Sequence, residues 1–402
     1  MLEPLPERFL AADPSRSWIL YWTLAGLTTL GEDVSGYRHR LAQTARGMQN
    51  PTGGFGGGGG QLSHLATTYA VVLALALVGG EEAYEVVDRE GLWRWLCSLK
   101  QKDGGFQVCL GGEEDIRGAY CAAVIITLLN LPLELTPESP AYTPDGSTNL
   151  LSGLADYVRR CQTFEGGISG QPNVEAHGAY AFCALGCLSV LGDPRRIIPE
   201  YLDIPRLTAW LSSRQYAPEG GFSGRTNKLI DGCYSHWVGG CFPLIEAALG
   251  VGADGNSIPG SLPPPAETLF SREGLTRYIL CCCQDQTRRG GLRDKPGKMS
   301  DAYHTCYVLA GLSSAQHQWE LSTNDTNIGA TLGATGADAV WNVLPYLGGD
   351  DDLQVFERED LVRPVHPVYA IPLASKDAMR SYFLAKGSSF DDDGAAATAP
   401  GE

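Results

Sequence analysis

The chain has 402 residues, of which 44% are hydrophobic, and its formal net charge is −16 at pH 7. That hydrophobic content can build a sizeable core, which excludes a disordered protein, and the acidic balance argues against a nucleic-acid-binding protein. No apolar run reaches about 18 residues, no signal-peptide pattern opens the chain, and the 12 cysteines form no disulfide framework, so we expect a cytoplasmic protein without a transmembrane segment.

Along the chain, a pair of glycines followed by an apolar residue recurs, each time with a glutamine upstream and an aromatic residue downstream. The first glycines of these pairs are Gly53, Gly104, Gly166, Gly220 and Gly290. An apolar run of helical length follows each aromatic residue, and each unit has room for a second helix before its glutamine. The repeat therefore predicts an all-α protein of stacked helical hairpins.

This helical domain is predicted to cover residues 1–385, and two stretches inside it differ from the repeat in composition. Segments 249–267 and 317–336 are rich in Gly, Pro, Ser, Thr or Asn, and we interpret both as loop insertions. The remaining residues, 386–402, are acidic and rich in alanine, so we predict a disordered tail.

Polar residues recur at similar distances before the aromatic residue of each unit. Equivalent positions in a closed array of hairpins lie at equivalent heights, so if this array closes, these side chains should surround one end of it, together with helix N-termini. Among them, Asp231, Cys233 and His304 offer one oxygen, one sulfur and one nitrogen, which suits tetrahedral zinc with an open fourth position. Ordinary core packing is the alternative for such a cysteine and histidine.

A second group of polar residues at this end is basic. Arg225 and Lys228 follow a glycine-rich turn, and together with His177 and Tyr234 they can approach phosphate oxygens. The alternative is an exposed charged loop that binds no ligand.

Aromatic residues occur at positions of the repeat close to those of these polar groups. They are Trp18, Tyr21, Trp22, Tyr120, Tyr180, Trp237, Tyr303 and Tyr307. Residues 18 and 22 are spaced i, i+4 and so lie on one face of a helix, and residues 303 and 307 lie on one face of another helix in the same way. Such residues are either ordinary core or, in this phase, the wall of an apolar funnel beside an anion site.

Three long motifs carry a specific resemblance to a known family. They are GGFSGRTNKLIDGCYSHW at 220–237, DKPGK at 294–298 and DAYHTCY at 301–307. The chain resembles the β subunits of protein prenyltransferases over about residues 15–385, and among these the subunits that transfer farnesyl. The resemblance implies an α-α barrel, or toroid, with an inner and an outer ring of helices around a central cavity.

The same resemblance implies an activity and its cofactors. Asp231, Cys233 and His304 would bind a catalytic zinc ion, whose fourth position takes the cysteine of a protein ending in a Cys-a-a-X box. The thiolate would attack C1 of farnesyl diphosphate. Asp294 matches a family position that assists magnesium at the diphosphate.

Further site residues follow position by position from the resemblance. The diphosphate-binding positions match His177, Arg225, Lys228 and Tyr234, and Tyr234 also counts as catalytic. The isoprenoid- and peptide-binding positions match Trp18, Trp22, His64, Glu113, Arg117, Tyr120, Tyr180, Cys183, Trp237, Tyr303 and Tyr307. The family also implies a separate α subunit of helical repeats, with which the chain would form a heterodimer.

Three positions favour farnesyl over the longer geranylgeranyl group. Trp18 and Tyr307 match bulky residues that shorten the cavity, and Asp294 stands where the type I geranylgeranyl relatives carry a lysine. Ala179 and His236 depart from the family pattern, which commonly has a glycine and an aromatic residue there.

Three alternative functions remain open at this point. The first is a type I geranylgeranyltransferase β subunit. The second is a terpene cyclase, which would need an acidic DxDD or DDxxD motif facing the cavity, and the sequence contains no such motif in the repeats. The third is a non-catalytic scaffold of helical repeats, which predicts no bound zinc.

Overall fold

The structure, a computed structural model, describes residues 7–250, 269–322, 336, 339–346, 358–388 and 390. Its α-helices are, in chain order, α1 (Arg16–Thr29), α2 (Arg38–Arg46), α3 (Leu65–Val78), α4 (Glu81–Tyr84), α5 (Arg89–Leu99), α6 (Ile116–Leu128), α7 (Leu154–Arg160), α8 (Gly178–Leu191), α9 (Pro194–Tyr201), α10 (Ile204–Ser212), α11 (Tyr234–Trp237), α12 (Phe242–Ala248), α13 (Arg272–Tyr278), α14 (Ala302–Gln316) and α15 (Leu373–Lys386). Two strands, β1 (His317–Leu321) and β2 (Trp341–Pro345), form an antiparallel pair.

The inner helices form a closed ring. Helix α1 packs on α3, α3 on α6, α6 on α8, α8 on α11, and α11 on α14, and α14 packs back on α1. Outer helices α2, α7 and α13 each precede and pack on an inner helix, namely α3, α8 and α14. This closure confirms the predicted α-α barrel.

The burial of each helix follows from its composition. Helices α3 and α8 are apolar on all faces and are buried along almost their whole length. Helix α5 is amphipathic, because Leu92, Leu96 and Leu99 are buried while Glu90 and Arg94 face solvent and pair with each other. A helix that is apolar all round lies inside a domain, whereas an amphipathic helix covers its surface.

Polar residues cap the inner helices at one end of the barrel. The Asp115 carboxylate and the Nδ1 atoms of His64 and His177 each accept a backbone N–H from the residue two positions further on. Asp301 accepts the backbone N–H of His304 at 2.8 Å in the same way. Helix N-termini, with their partial positive charges, therefore gather at this end.

In four of the five units the recurring glycine lets the turn touch the next outer helix or the residue before it, whereas Gly290 has no neighbour this close. Gly104 and Gly220 have φ values of +103° and +85°, which favour glycine. A Cβ atom at either position would overlap the carbonyl oxygen of Gly153, which precedes α7, or of Gly274 in α13. The repeat signal in the sequence thus arises from close backbone packing between units.

The C-terminal segment closes the opposite end of the barrel. The Tyr120 hydroxyl donates to the Val368 carbonyl at 2.7 Å, and the Tyr21 hydroxyl donates to the Ala370 carbonyl at 2.9 Å. Helix α15 packs across α3 and α6. Tyrosines of the inner wall are therefore anchored to a segment that lies more than two hundred residues away in sequence.

The predicted loop at 317–336 is wrong at its start, because residues 317–321 form β1. This strand pairs with β2 in a register that sets His317 opposite Pro345, and Trp319 packs edge-on against Trp341 with ring centroids 6.5 Å apart. The rest of that segment, apart from residues 322 and 336, lies outside the described residues. The all-α prediction thus missed a small strand pair, which the buried tryptophans stabilise.

Two other predicted segments are described only in part. The insertion at 249–267 lies outside the described residues from 251 onward, as does the acidic tail from 391 onward. Helix α15 ends at Lys386, and Phe390 still packs on Trp93, with ring centroids 5.7 Å apart. Over the described part of the chain, no helix combines the length and hydrophobicity that a bilayer span requires.

Candidate active site

Asp231, Cys233 and His304 come together at the capped end of the barrel. Cys233 directly precedes α11, and His304 lies in the first turn of α14. One potential ligand atom from each residue lies within 4.8 Å of the other two. The Asp231 carboxylate accepts the Cys233 backbone N–H at 2.9 Å, and His304 Nε2 lies 3.3 Å from Asp231 Oδ1. The arrangement brings together the three predicted metal ligands.

The orientation of His304 fits a metal ion. Its Nδ1 lies 2.7 Å from Asp301 Oδ2, so the carboxylate accepts the Nδ1 hydrogen and leaves Nε2 free to coordinate. Nε2 is buried and makes no hydrogen bond within the described structure. Its contact of 3.3 Å with Asp231 Oδ1 is an ion pair only when the ring is protonated, whereas a divalent cation bound to all three ligand atoms would engage the neutral ring nitrogen. Sequence reasoning missed Asp301, although its place before α14 marks a helix cap.

The ionisation of these three groups depends on their mutual contacts. Burial and the neighbouring charge of Asp231 raise the pKa of the Cys233 thiol well above its usual value. Burial raises the pKa of Asp231, but His304 and the Cys233 N–H outweigh it and lower this pKa to about 2. Burial lowers the pKa of His304, but the two nearby carboxylates raise it to about 9. A bound cation would instead favour the thiolate and the neutral imidazole.

Three of the four predicted phosphate-binding residues lie together beside this cluster. The Tyr234 hydroxyl is 3.3 Å from His177 Nε2, and burial, then the charge of Arg225, lower the pKa of His177. His177 is therefore neutral at pH 7, and because its Nδ1 accepts the Ala179 N–H, its Nε2 carries the hydrogen. Lys228 is exposed in the same loop as Arg225, and no hydrogen bond joins it to the other three.

Arg225 has a partner that the sequence did not reveal. Its Nη1 lies 2.5 Å from Glu175 Oε2, and both side chains are about half exposed. An exposed ion pair of this kind contributes about 1 kcal/mol or less. Little free energy is therefore lost when Arg225 leaves Glu175 to bind a diphosphate.

Asp294 lies next to the metal cluster but is held by a lysine. Its two carboxylate oxygens are 2.6 and 2.8 Å from Lys295 Nζ. Its backbone carbonyl accepts the Gly232 N–H at 2.8 Å and the Tyr278 hydroxyl at 3.0 Å, which ties this loop to the turn that carries Asp231 and Cys233. A magnesium ion at Asp294 would have to displace Lys295.

Aromatic side chains form a closed ring of contacts around the inner wall. The ring centroids follow one another from Trp18 to Tyr69 (6.0 Å), Tyr120 (5.6 Å), Phe182 (5.7 Å), Trp237 (5.6 Å), Tyr307 (4.5 Å), Tyr303 (4.9 Å), Trp22 (5.2 Å) and back to Trp18 (5.4 Å). We call this set the aromatic ring. The Trp237 indole N–H also donates to the Tyr303 hydroxyl at 3.1 Å. The ring joins six of the eight aromatic residues that the sequence singled out, and it adds Tyr69 and Phe182, which the sequence did not single out.

The residues predicted to bind the peptide end form a second polar patch. Arg117 is held by Asp115 through two contacts of 2.8 Å, and its guanidinium lies 5.5 Å from the centre of the Tyr180 ring. Burial lowers the pKa of His64, while the negative charge of Glu113 opposes this shift.

Cys183 is a buried residue of α8, whose pKa is raised well above its usual value, chiefly by burial. The positive charge of Arg117 acts on both Cys183 and His64. Arg117 thus interacts electrostatically with both side chains, and its guanidinium lies over the Tyr180 ring.

Comparison with known proteins gives a consistent result. The family described as "Prenyltransferase alpha-alpha toroid domain" matches residues 1–371. The protein farnesyltransferase subunit beta of Pyricularia oryzae is 61% identical over 387 residues, which cover 96% of this chain and 72% of that one. The subunit of the same name from Schizosaccharomyces pombe is 37% identical over 389 residues, which cover 97% and 89%.

A solved structure supports the fold. Candida albicans protein geranylgeranyltransferase-I, complexed with GGPP, matches 95% of each chain with a TM-score of 0.64 at 20% identity. The chain therefore belongs to the prenyltransferase α-α toroid family, among the β subunits of the protein prenyltransferases.

Proposed function

We propose that the chain is the catalytic β subunit of a protein farnesyltransferase. The enzyme would transfer farnesyl from farnesyl diphosphate to the cysteine thiol of a C-terminal Cys-a-a-X box. The observation that carries the proposal is one continuous site, in which the Asp231, Cys233 and His304 cluster lies between a basic group and the aromatic ring. The names of the relatives from Pyricularia oryzae and Schizosaccharomyces pombe support farnesyl as the lipid.

Asp231, Cys233 and His304 would hold one zinc ion. When bound, zinc supplies positive charge that ionises the acceptor cysteine, whose thiol is mostly protonated at pH 7 because its ordinary pKa is about 8.5. Asp301 keeps Nε2 of His304 turned toward the cluster. Asp294 would contribute to magnesium binding at the diphosphate once its ion pair with Lys295 is broken.

The basic group would bind the diphosphate and stabilise it as a leaving group. His177 presents an Nε2 hydrogen and Tyr234 a hydroxyl, and burial raises the pKa of Tyr234 to about 12, so both remain neutral donors. Arg225 and Lys228 add positive charge. As the bond between C1 of the isoprenoid and its oxygen breaks, negative charge grows on the diphosphate, and these donors stabilise it.

The aromatic ring would bind the isoprenoid and exclude water from the reacting carbon. Trp18 and Tyr307 would limit the length of the chain that fits, since Trp18 stacks on Trp22 and Tyr307 is buried among aromatic rings. A type I geranylgeranyltransferase β subunit is the alternative, and the bulk of Trp18 counts against it. Arg117, His64 and Glu113 would face the C-terminal end of the acceptor peptide.

The active enzyme would be a heterodimer with the α subunit of a farnesyltransferase, and we expect it in the cytoplasm. Expression with such a subunit tests the proposal, with zinc content and transfer from farnesyl and geranylgeranyl diphosphate to a Cys-a-a-X peptide as the readouts. We expect one zinc ion per heterodimer and preferential farnesyl transfer. Cys233→Ala should abolish both.

Cys97→Ala is the matched control, because Cys97 is a buried cysteine of outer helix α5, away from the cluster. This variant should keep zinc and activity. Preferential geranylgeranyl transfer would reject the assignment of the lipid, and a zinc-free, inactive heterodimer would reject the enzyme.

A further inference from the structure

His236 lies directly behind the aromatic ring. Its imidazole stacks on Tyr307, with centroids 5.2 Å apart and planes 27° from parallel, and contacts Trp237 at 4.8 Å and Phe182 at 4.5 Å. All three neighbours belong to the aromatic ring. His236 itself is only 3% exposed, so its contacts are with the wall rather than with solvent.

Packing stability alone does not account for a histidine at this position. Its Nε2 atom is buried and has no hydrogen-bond partner within the described residues. Burial lowers the pKa of His236 to about 3, so the ring is neutral at pH 7. A phenyl ring would fill the same space without a buried unsatisfied nitrogen, and a residue that breaks a local packing rule often belongs to a functional site.

A larger or smaller side chain at position 236 can be accommodated only if its closely packed neighbours move. On one side lies Gly240, where an added Cβ would sit only 3.3 Å from His236 Nδ1 and from Phe182. On the other side, the Tyr307 ring stacks on the imidazole. Through Tyr303 and Trp22, the ring contacts of Tyr307 continue to Trp18.

We propose that His236 determines isoprenoid length by supporting Tyr307 from behind. This inference rests on the proposed function, since it concerns the lipid that the same site accepts. An imidazole occupies less volume than a phenyl ring, so it leaves Tyr307, Trp237 and Phe182 more room than phenylalanine would. A still smaller residue at 236 would let Tyr307 move back and lengthen the cavity, whereas phenylalanine would shorten it.

The test is the ratio of kcat/KM for geranylgeranyl diphosphate to that for farnesyl diphosphate, measured on the heterodimer. We expect His236→Ala to raise this ratio about tenfold, the scale on which a pocket discriminates small changes in apolar length. His236→Phe should lower the ratio. General destabilisation would reduce both kcat/KM values together and leave the ratio unchanged.

His317→Ala is the matched control. His317 is also buried, but it lies at the start of β1, where its Nδ1 pairs with the Ser313 carbonyl at 2.9 Å. The ratio should stay at the wild-type value in this variant. If His236→Ala does not fold, His236→Leu takes its place and should raise the ratio in the same direction.

Each outcome bears on a different claim. Active His236 variants with the wild-type ratio would overturn the role of His236 and leave the farnesyltransferase assignment intact. A wild-type heterodimer without farnesyl transfer would instead reject the proposed function on which the inference depends.

Discussion

Asp301 holds the imidazole of His304 in one orientation, because its Oδ2 lies 2.7 Å from Nδ1 while its Oδ1 accepts the His304 backbone N–H at 2.8 Å. One carboxylate thus caps α14 and aims a metal-binding nitrogen. The same residue therefore links helix formation to the chemistry of the cluster, and its two oxygens have separable roles.

The first prediction separates these roles with Asp301→Asn. The amide oxygen can still cap α14, but the negative charge beside Nδ1 is lost, so we expect zinc affinity to fall about tenfold or more. Competition with a chelator measures the affinity. Asp203→Asn is the control, because Asp203 caps α10 through the Arg206 N–H at 3.1 Å and lies outside the site. Equal affinities in the two variants would contradict the role of Asp301.

The second prediction concerns the contact between Arg225 and Glu175. Glu175→Gln removes the charge that competes with the diphosphate for Arg225, so Kd for farnesyl diphosphate should fall by about twofold to fivefold, as expected for a weak exposed pair. Arg225→Ala should raise Kd by tenfold or more, because it removes a charge-assisted contact. Titration of the heterodimer with farnesyl diphosphate measures both. A higher Kd for farnesyl diphosphate in Glu175→Gln would contradict the prediction, because it would mean that Glu175 holds Arg225 in the orientation that binds the diphosphate.

The third prediction is a pH dependence that arises from Lys100. Burial lowers the pKa of this lysine to about 7, and its ammonium donates to the Gly104 carbonyl at 2.7 Å. In the unfolded chain its pKa is about 10.4. Between about pH 7 and pH 10 the unfolded state therefore binds more protons, and the free energy of unfolding should rise with pH through this residue.

Lys100→Met should remove that rise and increase stability at pH 7. Urea unfolding at pH 7, 8 and 9 measures the effect, as the difference between variant and wild type. Lys102→Met changes the net charge equally at an exposed position and should leave the slope unchanged. Equal slopes in Lys100→Met and wild type would contradict the prediction.

The fourth prediction tests why the glycine repeat exists. Gly220→Ala forces a residue with a Cβ into a φ of +85° and against the Gly274 carbonyl, so we expect a loss of about 3 kcal/mol in the free energy of unfolding. Gly290→Ala faces a φ of +64° but no neighbouring atom, so its loss should be about 1 kcal/mol. Thermal unfolding of the two variants compares them. Similar losses would mean that backbone conformation, rather than contact between units, explains the repeat.

The sequence predicted the grouping of the three potential metal ligands because equivalent positions of the repeat lie at a common height along the barrel. Aligning the units on their aromatic residues places Asp231, Cys233 and His304 at one end, and the structure brings their ligand atoms within 4.8 Å. The same alignment predicted most of the aromatic ring. It works because each unit repeats the same turn, and each turn begins an inner helix at the same end of the barrel.

The residues that sequence reasoning missed have a common physical cause. Phe182 lies on α8, which is apolar on all faces, so hydrophobic periodicity cannot tell which side meets the lumen. Glu175 and Arg225 are 50 residues apart, in the turns of neighbouring units, and only the packing of those units brings them into contact. The strand pair β1–β2 was missed because a polar composition suggested a loop.

The amino-acid sequence by itself predicted the helical repeat and the three potential metal ligands that the repeat brings to one end. The glycines set how closely the units pack, and the capping residues set where the inner helices begin. Only the tertiary structure decided which partner each functional side chain has, such as Asp301 beside His304, Lys295 on Asp294 and His236 behind Tyr307. The reason is that repeat phase specifies height along the barrel, whereas the contacts between side chains depend on how neighbouring helices pack around it.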